Sequence, residues 1–303
     1  ISVPEISHAI AKNCDVIGDI ELFCRLSDTK IIAVTGSNGK STVVSMLNYV
    51  GNALGYHVQL GGNIGLPVLD QIDEVDADFM VLELSSFQLE TVKSMKALAA
   101  TILNISDDHL DRHKTIENYA AIKQKIYQNA RYAIFNRDDE STKPNNSCSN
   151  TEQLSFGCDS AQNANFGLAD IDGVVHLMDG ETALCSLPEL PLQGIHNAVN
   201  YLAVLALGKC AGWNVAAMLA SLITFKGLAH RCEVIETTDG ICWVNDSKAT
   251  NVGATLAAIE GLSPTLKNNK LILIAGGDGK GADFSPLKQA LTQHVDYLIT
   301  LGK

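Results

Sequence analysis

An α/β protein built on a parallel sheet is the fold class that this sequence predicts. Three observations carry that expectation. Apolar runs of strand length alternate with amphipathic helical patterns. The run Ile31-Ile-Ala-Val-Thr35 passes straight into a glycine-rich turn and then a helix. The same alternation restarts after a turn-rich segment at 225–231. With 303 residues, 46% of them hydrophobic, the chain has material for about two domains of roughly 150 residues. That apolar fraction excludes a largely disordered chain.

After the strand at 31–35, a helix is expected to carry Val43, Val44, Met46, Leu47, Val50 and Leu54 on its apolar side, with Gly55 as its stop. Phe79–Leu84 and Ala99–Asn104 read as further buried strands. Helical periodicity spans Tyr119–Asn129, which puts Lys123 in mid-helix, and Tyr132–Asn136 is a short strand. From Asp138 to Glu189, Ser, Asn, Asp and Gly become frequent, so a loop with an antiparallel excursion around Gly173–Met178 is expected. Helices follow at Asn197–Ala211 and Val215–Ile223. Phe225–Arg231 has turn chemistry and marks a domain boundary. Beyond it come a strand at Ile241–Asn245, a helix at Val252–Leu262 and a strand at Leu271–Ala275 ending in Gly276-Gly277.

A net charge of −12 and a pI near 5.0 argue against nucleic acid as the main ligand, because phosphate backbones are held by Lys and Arg. A local basic site for a phosphorylated small molecule is compatible with that surface. No signal-peptide pattern opens the chain, and no run of about 18 apolar residues predicts a membrane span. Both ends are expected to be cut, since the chain opens on Ile1 and stops on the strand-like Tyr297–Lys303. The eight cysteines are scattered with no C-x-x-C pair. They read as reduced cytoplasmic thiols, mostly small buried hydrophobes, rather than disulfides or a zinc site.

The sharpest motif is Thr35-Gly-Ser-Asn-Gly-Lys-Ser-Thr42 between a strand and a helix. Gly36 and Gly39 let the backbone turn its N–H groups inward around Ser37 and Asn38, and the helix start, with Thr42, adds partial positive charge. Lys40 can reach β- and γ-phosphates, and the Ser41 hydroxyl suits Mg²⁺. The ordinary Walker A pattern has Gly where this chain has Val34, and no strand ends in the usual Walker B Asp, so a generic P-loop kinase or GTPase is disfavoured. Glu83 instead closes the next strand, on the edge where open α/β sheets bind ligands, and its carboxylate suits Mg²⁺. Taken alone it reads equally well as a solvated surface residue. Asp107, Asp108, His109 and Asp111 cluster directly after the following strand and read as ligand or metal residues. By spacing alone Lys123 reads as a solvated helix lysine.

Together these segments resemble the Mur ligases, the ATP-dependent amide-forming enzymes of peptidoglycan assembly. The phosphate loop has the superfamily outline, which folylpolyglutamate and cyanophycin synthetases share. Gly61–Gly65, Leu82–Glu90, Asn245–Asn251 and Gly276–Phe284 are similar to the D-glutamate-adding members. The resemblance implies three domains. Residues 1–22 would be the tail of an N-terminal UDP-binding domain or a linker. A central ATP-binding domain on a P-loop-type parallel sheet would span 23–228, and 229–303 would be an incomplete Rossmann-like domain.

It also implies an ATP-dependent ligase joining D-glutamate to UDP-N-acetylmuramoyl-L-alanine through an acyl phosphate, acting as a cytoplasmic monomer. Ser41 and Glu83 would hold one Mg²⁺ and His109 a second, with Lys123 carbamylated by CO₂ as an anionic oxygen ligand. Asn197 and Asn200 match residues on the adenine side of ATP, though Asn at a helix start is also a common cap. Arg231 matches the arginine that reaches the ATP phosphates, with His230 beside it, and Asp246 would lie near the ribose. Lys248, Thr250 and Lys280 match positions closing on glutamate and the acyl phosphate, and Asn63 and Asp108 those near the muramoyl-alanyl part. The competing expectations are a folylpolyglutamate-type ligase and an ATP-binding fragment without full turnover.

Overall fold

The computed structural model describes residues 3–72, 77–145, 151–161, 165–235, 237–263, 266, 269–279 and 282–302. Two short helices, α1 (Pro4–Ala11) and α2 (Asp19–Leu26), lead into β1 (Lys30–Thr35) and α3 (Lys40–Ala53). Then follow β2 (Val58–Gly62), β3 (Phe79–Glu83), α4 (Ser86–Thr91), β4 (Ala97–Ile102), α5 (Leu110–His113) and α6 (Ile116–Lys123). The first sheet is completed by β5 (Tyr132–Asn136) and β6 (Glu152–Phe156). Its order is β2-β3-β1-β4-β5-β6 and all its pairings are parallel. β1 is therefore central, flanked by β3 and β4, and the crevice beyond their C-terminal ends is where such sheets take ligands.

Successive residues of a strand face opposite sides, and both sides of this sheet are covered. Ile32, Val34, Val81 and Ile134 pack under α3 and two later helices, α7 (Ile195–Cys210) and α8 (Val215–Leu222). Ile31, Ala33, Met80 and Leu82 face the other way, against Ile20 and Phe23 of α2, Leu89 of α4 and Tyr127. Burial on both faces explains why these strands are continuous apolar runs rather than alternating ones.

The antiparallel excursion is a three-stranded sheet of β7 (Phe166–Ile171), β8 (Val174–Asp179) and β9 (Thr182–Ser186). β6 lies within the segment expected to be loop, where its polar, exposed first residues conceal the strand. The helix expected over 119–129 starts earlier, capped by the Thr115 side chain, and tightens into a 3₁₀ turn at Gln124–Tyr127. Lys123 is thus the last residue of α6, not a mid-helix one. The expected domain limit at 22/23 runs through α2, whose Ile20 and Phe23 are buried in the sheet's core.

Beyond 229 come β10 (Glu233–Ile235) and β11 (Trp243–Asn245), paired antiparallel. Then follow α9 (Val252–Leu262), β12 (Ile272–Gly276), α10 (Leu287–His294) and β13 (Tyr297–Leu301). β12 and β13 pair in parallel across the α10 crossover. The cysteines depart from expectation. The seven described are free, but Cys14, Cys158 and Cys242 are exposed and the other four half-buried. Cys24 lies within α2, Cys210 ends α7, Cys185 is on the edge strand β9, and Cys14, Cys158, Cys232 and Cys242 lie outside helices and strands, so none sits on the strand faces of the main sheet. Among the described residues no helix is long and apolar enough to cross a membrane.

Candidate functional site

β1 delivers the chain into residues 36–39 at the sheet's C-terminal edge, and α3 starts at Lys40. Gly39 has φ +82, and a Cβ there would stand 2.6 Å from Asn200 Oδ1 on α7, so this turn excludes a side chain on both counts. The Lys40 ammonium curls across the loop and donates to the carbonyls of Gly36 and Ser37 at 2.8 and 2.9 Å. Burial lowers its pKa; Glu83 and Asp108 oppose that shift.

The loop is braced from β4's end. Asn104 accepts from Asn38 N through Oδ1 (2.8 Å), and its Nδ2 donates to Asn38 O (3.1 Å). Ser37 N donates to Asn104 O at 2.9 Å. Ser37 Oγ accepts from Ser106 N at 2.9 Å and donates to Ser106 O at 3.1 Å. Sequence reading assigned Asn104 and Ser106 no role. The available signal was an Asn directly after a strand, on the edge shared with the phosphate loop.

Glu83 ends β3 and is 1% exposed, so the solvated-surface reading fails. Its Oε1 accepts from Asn63 Nδ2 at 2.8 Å, while Oε2 is buried without a hydrogen-bond partner. A buried carboxylate oxygen lacking a donor costs free energy unless something positive meets it. That fits a cation ligand, and the Ser41 hydroxyl at the start of α3 is a second oxygen of suitable chemistry.

Lys123, also 1% exposed, donates to Thr35 Oγ1 and Gly36 O, both at 3.0 Å, and its Nζ lies 4.6 Å from the Tyr119 ring centre. Here too the solvated-lysine reading fails, because α6 ends against β1. Burial, then the Lys40 ammonium sharing the Gly36 carbonyl, hold its pKa well below the usual lysine range. Both effects shift the balance towards the neutral amine.

His109 adopts φ +53 in the loop after β4, with its side chain 39% exposed and Nε2 3.7 Å from Asp108 Oδ2. Its ring meets the edge of Phe87, which stacks on His113. His113 is buried, and its Nε2 is 2.9 Å from Ser86 Oγ. Burial lowers its pKa, against the pull of Glu90. Asp107 is exposed. Among the described residues no three His, Cys, Asp or Glu side chains form a metal cluster by themselves. The expected donor set draws instead on a hydroxyl and a lysine.

α7 presents Asn197 and the buried Asn200 beside the loop. The N-cap of α7 is Gly194; Asn197 Nδ2 donates back to Gln193 O at 2.9 Å, and Asn200 Nδ2 to Asn197 Oδ1 at 3.3 Å. Neither serves as the helix cap that the sequence allowed.

From the following domain, Arg231 Nη2 donates to Ser41 Oγ at 2.8 Å. His230 (φ +64) places Nδ1 2.7 Å from Asn245 Nδ2. Asp246 accepts from Cys232 N at 3.1 Å, and burial raises its pKa. Lys248 and Thr250 are exposed, and Lys280 lies outside the described residues. The phosphate-loop edge thus gathers Lys40, Ser41, Asn63, Glu83, Lys123, Asn200 and Arg231. Asp246, Lys248 and Thr250 are not brought into hydrogen bonds with it.

A parallel sheet with a lysine-bearing phosphate loop and a buried, half-partnered carboxylate on the adjacent strand defines a nucleotide-binding phosphoryl-transfer domain. Residues 34–208 match the Mur ligase middle domain, and 230–303 the Mur ligase glutamate ligase domain. The chain belongs to the Mur ligase family. The UDP-N-acetylmuramoylalanine--D-glutamate ligase of Colwellia psychrerythraea is 54% identical over 98% of this chain and 66% of that protein. The protein of the same name from Legionella pneumophila (strain Paris) is 42% identical over 100% and 68%. The chain therefore spans about two thirds of the length of these relatives. Among solved structures, MurF from Acinetobacter baumannii aligns with TM-score 0.75 at 21% identity, over 93% of this chain and 65% of that one, a likeness of fold. The UDP-N-acetylmuramoyl-L-alanyl-D-glutamate--2,6-diaminopimelate ligase structure aligns with TM-score 0.68 at 25% identity, over 91% and 62%.

Proposed function

We propose that this chain carries the ATP-dependent addition of D-glutamate to UDP-N-acetylmuramoyl-L-alanine in peptidoglycan synthesis. The observation carrying the phosphoryl-transfer half is the pairing of Lys40 on the braced loop with the unpartnered Glu83 oxygen on the next strand. The choice of substrates rests on the names of the relatives. In the first step a carboxylate oxygen of the alanyl end forms a bond to the γ-phosphorus of ATP, the β,γ-bridging P–O bond breaks, and ADP leaves. In the second, the D-glutamate nitrogen attacks the acyl carbon, the tetrahedral intermediate expels phosphate by C–O cleavage, and the nitrogen gives up its extra proton.

Lys40 and the loop N–H groups bear the charge on the transferring phosphoryl group. Ser41, Glu83, His109 and Lys123 would hold two Mg²⁺ ions, which supply Lewis-acid charge neutralisation when bound. A neutral Lys123 amine can add CO₂ at carbon and lose one proton, becoming an anionic carbamate that suits a hard cation where an ammonium would repel it. Asn197, Asn200 and Asp246 face the nucleoside end of ATP, and Asn63 and Asp108 the muramoyl-alanyl end. Arg231, His230, Lys248, Thr250 and Lys280 close from the second domain, excluding water from the acyl phosphate. The working form is a cytoplasmic monomer.

Phosphate release by this chain with ATP, Mg²⁺ and UDP-N-acetylmuramoyl-L-alanine tests the reading. Turnover should require D-glutamate and fail with L-glutamate. Turnover with a folate acceptor, or nucleotide binding with no release under any acceptor, would overturn it.

A further inference from the structure

We propose that Asn251 is a positioning residue that registers the glutamate ligase domain on the phosphate loop. It sits one residue after Thr250 and three after Lys248, at the end of the Asn245–Asn251 segment. Its backbone is extended (φ −146, ψ 166), and it caps α9, with Oδ1 accepting from Ala254 N at 2.8 Å. That bond fixes which end of the amide is oxygen, so Nδ2 must point away from the helix. It donates to Asn38 Oδ1 at 2.9 Å, across 213 positions of sequence.

Asn38 is in turn orientated. Both its backbone groups are held by Asn104, and its own Nδ2 faces Ser106 Oγ at 3.5 Å. The start of α9 approaches so closely that a Cβ on Gly253 would stand 3.3 Å from Asn38 Nδ2. One side chain thus caps a helix of one domain and clasps the loop tip of the other. A fixed Asn251 confines the Thr250 Cα to about 3.8 Å away and the Lys248 Cα to roughly 11 Å at most. Two exposed residues are thereby delivered to the phosphate loop by a neighbour that touches it. The clasp rests on the proposed function for its catalytic meaning, but not for its geometry.

Asp and Ser both cap helices well, so Asn251→Asp and Asn251→Ser keep the α9 cap and remove the amide donor, the first by adding a negative charge and the second by shortening the side chain. In the turnover assay, KM for D-glutamate should rise and kcat fall, together by roughly tenfold, with KM for ATP within about twofold of wild type and the melting midpoint unchanged. Asn38→Ala should mask the effect, leaving Asn38→Ala/Asn251→Ser no worse than Asn38→Ala. Spin labels at exposed Asp70 and Gln293 of the ligand-free chain should show a broader interdomain distance distribution in Asn251→Asp. Unchanged glutamate kinetics with an unchanged distribution overturn the clasp. So does a fall in every parameter together with the melting midpoint, which would leave only a cap. Should wild type show no D-glutamate-dependent turnover, the functional reading fails, and the distance distribution still decides the clasp.

Discussion

On the middle-domain side of the cleft, Thr35, Ser37, Glu83 and Lys123 are all buried, and the loop they surround is tied to the segment after β4 by six hydrogen bonds through Asn104 and Ser106. On the facing side, Lys248 and Thr250 are exposed. Two described side-chain contacts, Arg231 to Ser41 and Asn251 to Asn38, tie that domain to the loop. On the proposed reading, the difference teaches where each half-reaction would get its precision: phosphoryl transfer from a loop and a carboxylate that the sheet itself positions, amide formation from exposed groups carried on the second domain.

The strongest way to break this contrast is Lys40→Ala. With the loop braced independently of the lysine, the fold should survive while ATP-dependent phosphate release falls by about 10²–10³-fold or more. Circular dichroism and turnover check both halves; retained release would remove Lys40 from the chemistry. A smaller effect is expected from the docking side. Arg231→Ala should raise KM for ATP and lower kcat together, each by roughly tenfold. Wild-type kinetics in that variant would take Arg231 out of the site and leave its bond to Ser41 a resting contact.

The same contrast governs what could be read in the sequence. The central strands, the phosphate loop and helix α3 are visible because burial on both faces leaves continuous apolar runs punctuated by glycine. Local chemistry gives the type of Glu83 and Lys123 but not their burial. Each is made interior by a neighbour distant in sequence, Asn63 on the β2 side for Glu83 and the β1 end for Lys123. Strand β6 and the helix α2 were hidden for the opposite reason: each has one wet face and polar residues at its start. Asn104, Ser106 and Asn251 carry no periodicity at all. Their roles exist only once three strand ends and a second domain converge, and single-sequence spacing does not encode that convergence.

Lys123 sharpens the comparison through pH. Its folded pKa is far below the ordinary lysine value, so between the two the unfolded chain binds a proton that the folded chain lacks. Folding stability in CO₂-free buffer should therefore rise with pH across that window, by at most about 1.4 kcal/mol per unit, up to the usual range near 10.4. Lys123→Met should flatten that rise. Bicarbonate should stabilise wild type alone, with native mass spectrometry showing one added CO₂. The opposing charges are Lys40, which lowers the value, and Asp108 and Glu83, which raise it. Equal slopes in the two proteins, measured by denaturant midpoint from pH 7 to 10, would mean that the buried amine is charged and the carbamate has no precursor.

The smallest effect tests whether the braced side of the cleft extends to α2, outside the matched middle-domain segment. Glu21 is buried, and burial alone would raise its carboxyl pKa. Backbone N–H groups of Ser94 and Lys93, at 2.9 and 2.7 Å, together with Arg25 outweigh that and set it at about 2. A carboxylate so anchored ties α2 to the segment between α4 and β4, on the sheet face opposite α3. Glu21→Gln should cost about 1–3 kcal/mol at pH 7. The sign of the linkage makes that difference shrink as pH falls from 4.5 towards 2, because the unfolded chain takes up the proton first. KM for ATP should not move, since none of the groups that hold Glu21 touches the phosphate loop. A wild-type denaturation midpoint in Glu21→Gln would make α2 an appended helix. A raised KM for ATP would instead show that the loop's bracing reaches through the sheet to its far face.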